Sequence, residues 1–239
     1  MSDMVVFASG KGGVGKSTVT ANVSTAAALL GKDILMIDTD IPMASLSLSL
    51  GLDIEGPTLN DVLSGDNELE DVIYDGPGGT RVIPAGISLD DVRKAKPQKL
   101  KELMKEVSEK FGTVVVDPPP GLGTATLSVL KACDRCVLVS IPVVNCLTDV
   151  LRTKRVCDKV GTKVEGVVVS RALQSDTDVP NEEIEAMLDT SVLGVIPEDA
   201  EVRRSASVGD PVVVRNSDCP SSKVFKKLAK KVFFDEDED

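Results

Sequence analysis

Between the apolar run Met4-Val5-Val6-Phe7-Ala8 and a helical stretch from Lys16 to Leu30 lies Gly10-Lys11-Gly12-Gly13-Val14-Gly15-Lys16-Ser17. This junction narrows the possible folds more than any other part of the chain. A strand without apolar/polar alternation is buried on both faces, as in a parallel sheet covered by helices. Glycines open backbone angles closed to other residues, so successive N–H groups can turn inward around a polyphosphate. The positive end of the following helix acts on the same anion. Gly10 to Ser17 satisfies G-x-x-x-x-G-K-[ST], a spacing that sets Lys16 against β- and γ-phosphates and the Ser17 hydroxyl on Mg2+. A ligand-free glycine turn is the competing reading, and the strand before and helix after argue against it.

The same alternation runs on to the C-terminus. Asp33 to Asp38, Arg81 to Pro84, Thr113 to Asp117, Cys136 to Ser140, Val164 to Val169 and Val192 to Ile196 read as further strands. Leu100, Leu103, Met104, Val107 and Phe111 fall at helical spacing, another helix begins near Pro180, and residues 53 to 80 read as a surface excursion with a short helix near Thr58 to Leu63. The expected class is α/β, a P-loop NTPase-type three-layer sandwich with a mostly parallel central sheet flanked by helices. With 239 residues and 42% hydrophobic content, one domain over 1–234 followed by an acidic tail at 235–239 is the natural division.

No run approaches the roughly 18 apolar residues of a membrane span, and the N-terminus reads as a core strand rather than a signal peptide. A cytoplasmic protein is expected. A net charge of −11 argues against nucleic acid as a partner, since nonspecific duplex binding needs a basic surface. Cys133-x-x-Cys136 has the spacing of half a metal site. The chain has no histidine and no second such pair, so small apolar packing explains these thiols better.

Ligands of open parallel sheets bind at the carboxyl ends of the strands. The glycine loop, Asp38 and Asp117 each stand at such an end, so one site can collect all three. Asp117 is placed to orient Mg2+, and the Pro118-Pro119-Pro120-Gly121-Leu122-Gly123 loop behind it is suited to sensing a γ-phosphate. An aspartate at a strand end is often only a turn former, but the matching phosphate loop favours the metal role. Asp38 and Asp40, two residues apart, can divide the labour, Asp38 in the metal's water shell and Asp40 orienting the attacking water.

Gly10-Lys11-Gly12-Gly13-Val14-Gly15-Lys16-Ser17-Thr18 resembles the deviant Walker A loop of the MinD/ParA ATPases, whose hallmark is the second lysine, here Lys11. Asp38-x-Asp40, the loop after Asp117 and Gly194-Val195-Ile196-Pro197-Glu198-Asp199 are similar to that family in order and spacing, nearest to archaeal MinD-like proteins. The resemblance implies binding of ATP, ADP and Mg2+ along the whole Gly10–Thr18 loop. It further implies a homodimer on ATP, with Lys11 of one subunit reaching the phosphates of the other, a protein regulator or cargo, and a role as a spatial organiser. By the same resemblance Ser170, Arg171, Pro197 and Glu198 border the adenine.

Three positions depart from the pattern: Val143 where a glutamate near the signature lysine is common, Ser170 where asparagine is frequent, and Pro120 in the second switch. Val143 keeps open a nucleotide-gated binding module with little hydrolysis. The proline-rich switch and Cys133-x-x-Cys136 keep open an iron–sulfur scaffold of the related Mrp type. Near the end, Val224, Phe225, Leu228 and Val232 form an apolar face among lysines. That face fits peripheral membrane contact or packing on the chain's own sheet, and the five carboxylates that follow favour packing.

Overall fold

In the computed structural model, which describes residues 2–41, 43–86 and 99–234, the uninterrupted apolar runs become strands of an eight-stranded sheet. The tail expected at 235–239 and Pro42 of the Asp38–Ser45 stretch lie outside the described residues. The strands are β1 Asp3–Ala8, β2 Ile34–Asp38, β3 Tyr74–Asp75, β4 Arg81–Ile83, β5 Thr113–Asp117, β6 Arg135–Ser140, β7 Lys163–Ala172 and β8 Val192–Pro197. Their order is β3-β4-β2-β5-β1-β6-β7-β8. Every neighbouring pair is parallel except β3 with β4.

The central strands need apolar residues on both faces, and each face has its own core. Val6, Leu35, Ile37, Val114 and Val116 point to one side, and Val5, Phe7, Ile34, Met36 and Val115 to the other. The helices are α1 Lys16–Leu29, α2 Ser45–Ser49, α3 Leu59–Ser64, α4 Leu100–Lys110, α5 Thr124–Ala132, α6 Val144–Val160, α7 Asn181–Leu188, α8 Ala200–Val208, α9 Val212–Arg215 and α10 Pro220–Phe233. Residues of α4, α5, α6 and α7 cover the first face, and residues of α1, α9 and α10 the second. The result is the three-layer sandwich that the sequence predicts.

The order β2-β5-β1 brings the carboxyl ends of three strands side by side. Asp38 stands in register with Asp117, and the glycine loop leaves β1 beside them. One feature escapes the sequence pattern. The two-residue β3 is too short to carry an alternation, and it exists as strand only because β4 offers it an antiparallel edge.

The C-terminal helix spends its apolar face inside the protein. Phe225, Leu228, Ala229, Val232 and Phe233 of α10 are all buried, packed in the same core as Val19, Ala26 and Ala27 of α1. This is the packing alternative of the sequence reading. Lipid contact through that face would require these residues to leave the core. Phe225→Ala should therefore lower the unfolding free energy by about 3–5 kcal/mol, measured by urea titration. A loss within the roughly 0.5 kcal/mol of a surface change would place the helix outside the core.

Candidate active site

The loop after β1 is shaped by glycine where no other residue fits. Gly13 and Gly15 have φ of 80° and 85°, in the left-handed region that favours glycine. Gly10 is constrained by space instead: a Cβ there would lie 2.3 Å from the carbonyl carbon of Asp149 on α6. The loop thus rests directly on the backbone of a helix.

Beyond it, α1 presents Lys16, Ser17 and Thr20 to the end of β5. Lys16 Nζ donates to Asp117 Oδ1 at 2.7 Å, Ser17 Oγ to Asp117 Oδ2 at 2.6 Å, and Thr20 Oγ1 to Asp117 Oδ1 at 3.0 Å. Asp117 is fully buried and Lys16 is 6% exposed. A buried carboxylate is tolerable because three donors and a counter-charge meet it. Its main-chain oxygen also receives the Thr39 N–H at 2.9 Å, tying β5 to the segment that follows β2.

Asp38 governs that segment. Its Oδ1 accepts the Asp40 N–H at 2.9 Å and its Oδ2 the Leu46 N–H at 3.1 Å. One carboxylate thereby closes the turn carrying Asp40 and sets the start of α2. Burial, then the neighbouring Asp117, pushes the Asp38 carboxyl up to about 8. Asp40 is raised as well, by burial first and then by Asp117, with Lys16 opposing.

These residues enclose a cavity of about 290 Å³ lined by Lys11, Gly12, Lys16, Ser17, Asp40 and Ser45 among others. Its oxygen donors suit a hard cation such as Mg2+, with Ser17 and Asp40 on the wall. Neither Asp38 nor Asp117 lines it, and both are fully buried. Lys11 is exposed at the mouth, and its ammonium forms no ion pair or hydrogen bond among the described residues.

A second cleft of about 390 Å³ adjoins the first and shares Gly13, Gly15 and Thr18 with it. Val19, Ile196, Pro197, Val202, Ala206 and Phe225 supply apolar wall, and Arg171 and Glu198 stand at the rim. An apolar slot beside a phosphate cavity fits a nucleobase. Arg171 Nε donates to Glu198 Oε2 at 3.0 Å, and Arg203 pairs with the other oxygen of that carboxylate. Ser170 borders the cleft, but its hydroxyl is turned to the loop and donates to the Val14 carbonyl.

Three participants are absent from the sequence reading. Thr20 was readable, since it stands one helical turn after Lys16 and shares its face. Thr39 and Ser45 carry no such signal; Ser45 Oγ comes within 3.3 Å of Ser17 Oγ only because Asp38 folds the intervening turn.

Cys133 and Cys136 do not form a cluster site. Cys133 ends α5, Cys136 lies in β6, and both are buried in the core. Burial pushes the Cys133 thiol well above its ordinary range. Among the described residues no group of three or more cysteines, aspartates or glutamates is placed to hold a metal, so within the subunit this pair lacks the further ligands of a cluster.

A family model described as ParA, NUBPL iron-transfer P-loop NTPase, matches residues 1–233. The chain belongs to the MinD/ParA family of P-loop ATPases. It is 38% identical over 232 residues to an ATP-binding protein of Methanocaldococcus jannaschii, with 97% of this chain and 88% of the relative covered. Its fold is similar to the septum site-determining protein MinD of Pyrococcus horikoshii, complexed with Mg-ADP, at a TM-score of 0.93 and 36% identity, covering 98% of this chain and 96% of that one. The cell division ATPase MinD of Pyrococcus furiosus gives a TM-score of 0.92 at 38% identity, covering 97% and 98%.

Because Lys16 and Asp117 neutralise each other out of water, Asp117→Ala leaves a buried cation alone. It is expected to cost about 3–5 kcal/mol of stability without nucleotide, read by chemical denaturation. A change below about 1 kcal/mol would mean that the pair is worth no more than a surface one.

Proposed function

We propose that this MinD/ParA-family ATPase closes into a dimer on ATP, hydrolyses the nucleotide and separates, and that this cycle positions a protein partner in the cytoplasm. The observation that carries the reading is Lys11. A phosphate loop already supplied with a buried lysine at Lys16 has a second ammonium at its mouth, exposed and without an intramolecular partner among the described residues. Such a cation is free to meet a polyanion approaching from outside the subunit.

In the proposed reaction, water attacks the γ-phosphorus in line. The new O–P bond forms as the β–γ bridging bond breaks, and ADP leaves with the electron pair. Lys16 bears on the β- and γ-phosphates, and Lys11 of the second copy adds charge at the same oxygens. When bound, Mg2+ neutralises phosphate charge, held by Ser17 with Asp38 and Asp117 in its outer shell. Asp40 orients the attacking water, and its raised proton affinity suits that contact. The Mg-ADP of the Pyrococcus horikoshii relative supports the choice of ligands. Likeness to MinD supports positioning, in cell division or at a pole, as the use of the cycle.

Val143 favours a second reading. It is 44% exposed and, with no side-chain acceptor, offers Lys11 no hydrogen bond. A module that dimerises on ATP with little turnover would follow. Size measurement and phosphate release separate the two. The cycle predicts a dimer with ATP and a monomer with ADP, no dimer from Lys11→Ala, and phosphate release reduced about 10²- to 10⁴-fold in Asp40→Ala. An ATP dimer without turnover in the unaltered protein would favour the module, and a monomer with both nucleotides would sink the cycle.

A further inference from the structure

Strand β7 carries an irregularity where it passes the glycine loop. From Val169 to Ala172 it advances three residues while its partner β8 advances two, from Val195 to Pro197. The extra residue is a β-bulge, a device that re-aims side chains beside functional sites. Arg171 sits in it with φ of 53°, a left-handed conformation that costs a residue with a side chain energy and tends to mark functional positions.

The bulge turns two consecutive side chains to the same target, where a regular strand would send them to opposite faces. Ser170 Oγ donates to the Val14 carbonyl oxygen, with the Ser140 carbonyl 3.3 Å from the same hydroxyl. Arg171 Nη1 donates to the Gly13 carbonyl oxygen at 3.2 Å. Two successive carbonyls of the phosphate loop are therefore drawn toward β7. In a trans peptide the N–H points opposite to the C=O, and the described chain has no cis bond. Holding the Gly13 and Val14 carbonyls thus turns the N–H groups of Val14 and Gly15 away from β7. The Gly15 N–H has no hydrogen-bond partner among the described residues, while that of Val14 turns back toward the Lys11 carbonyl across the turn at Gly12 and Gly13. A main-chain donor left open in a partly buried loop awaits an acceptor.

We propose that the β7 bulge pre-sets the phosphate loop, and that Arg171 is a positioning residue for the polyphosphate rather than a contact to the base. Glu198 serves as the anchor that aims the guanidinium, through its 3.0 Å bond to Nε. This rests on the nucleotide-site reading and adds the claim that the rim of the base cleft acts on the phosphates. The Arg171 side chain is more than half exposed, so its removal leaves the core intact.

Calorimetry with two ligands tests it: Mg-ATP, and inorganic tripolyphosphate with Mg2+, which has phosphates but no base or ribose. Arg171→Ala is expected to weaken both by a similar factor, about 2- to 10-fold for one lost hydrogen bond to the loop, with the melting temperature unchanged. Glu198→Gln, which leaves the guanidinium present but loosens its hold, should shift both ligands in the same direction by less. Weakening of ATP alone would make Arg171 a base or ribose contact and overturn the proposal, as would unchanged affinity for both. Unaltered protein that binds neither ligand would instead overturn the nucleotide-site reading on which this depends.

Discussion

The buried carboxylate of Asp117 is the contact on which the rest of the site depends. It collects the Lys16 ammonium and the Ser17 and Thr20 hydroxyls, while its main-chain oxygen holds Thr39. The start of α1, the end of β5 and the segment after β2 are thereby referred to one group without access to water. Low polarity around it strengthens each bond and makes any missing partner costly. Asp38, next to it in register, has its proton affinity raised by burial first and then by that neighbouring negative charge. The same carboxylate fixes the turn that carries Asp40. Two of the three aspartates proposed to handle a metal and a water, Asp38 and Asp117, are thus also structural braces.

That arrangement requires a sheet whose central strands are buried on both faces. The double core supplies it, and it accounts for the fate of several ambiguous features. The apolar face of α10 is consumed by packing, as are the thiols of Cys133 and Cys136. Both have sequence patterns that elsewhere serve membranes or metals, and both are used here to fill space. Among the residues that line the phosphate cavity, the charged Lys11 and the apolar Met43 are both exposed.

The strands were legible because each central one is a short, uninterrupted run of β-branched and other apolar residues ending in a turn or an aspartate. Asp38, Asp40 and Asp117 were legible for a related reason. Each follows or ends such a run, and parallel strands necessarily bring those ends to one edge. Other residues had no such mark. Ser45 reaches Ser17 through a turn closed by Asp38, and β3 is strand only through its partner. The bulge at Ser170 and Arg171 depends on a register difference between two strands that neither sequence reveals alone.

The sequence by itself determined the α/β layering, the phosphate loop and the residues that gather around it, because these follow from hydrophobic periodicity and from backbone freedom at glycine, both local properties. Tertiary structure decided where the side chains of that gathering point. It buried Asp117 against Lys16, turned Ser170 inward and Arg171 across to Gly13, folded α10 into the core and left Lys11 outside. Those outcomes depend on strand register, on helix packing and on which polar groups lose their water, and such quantities exist only when distant segments meet.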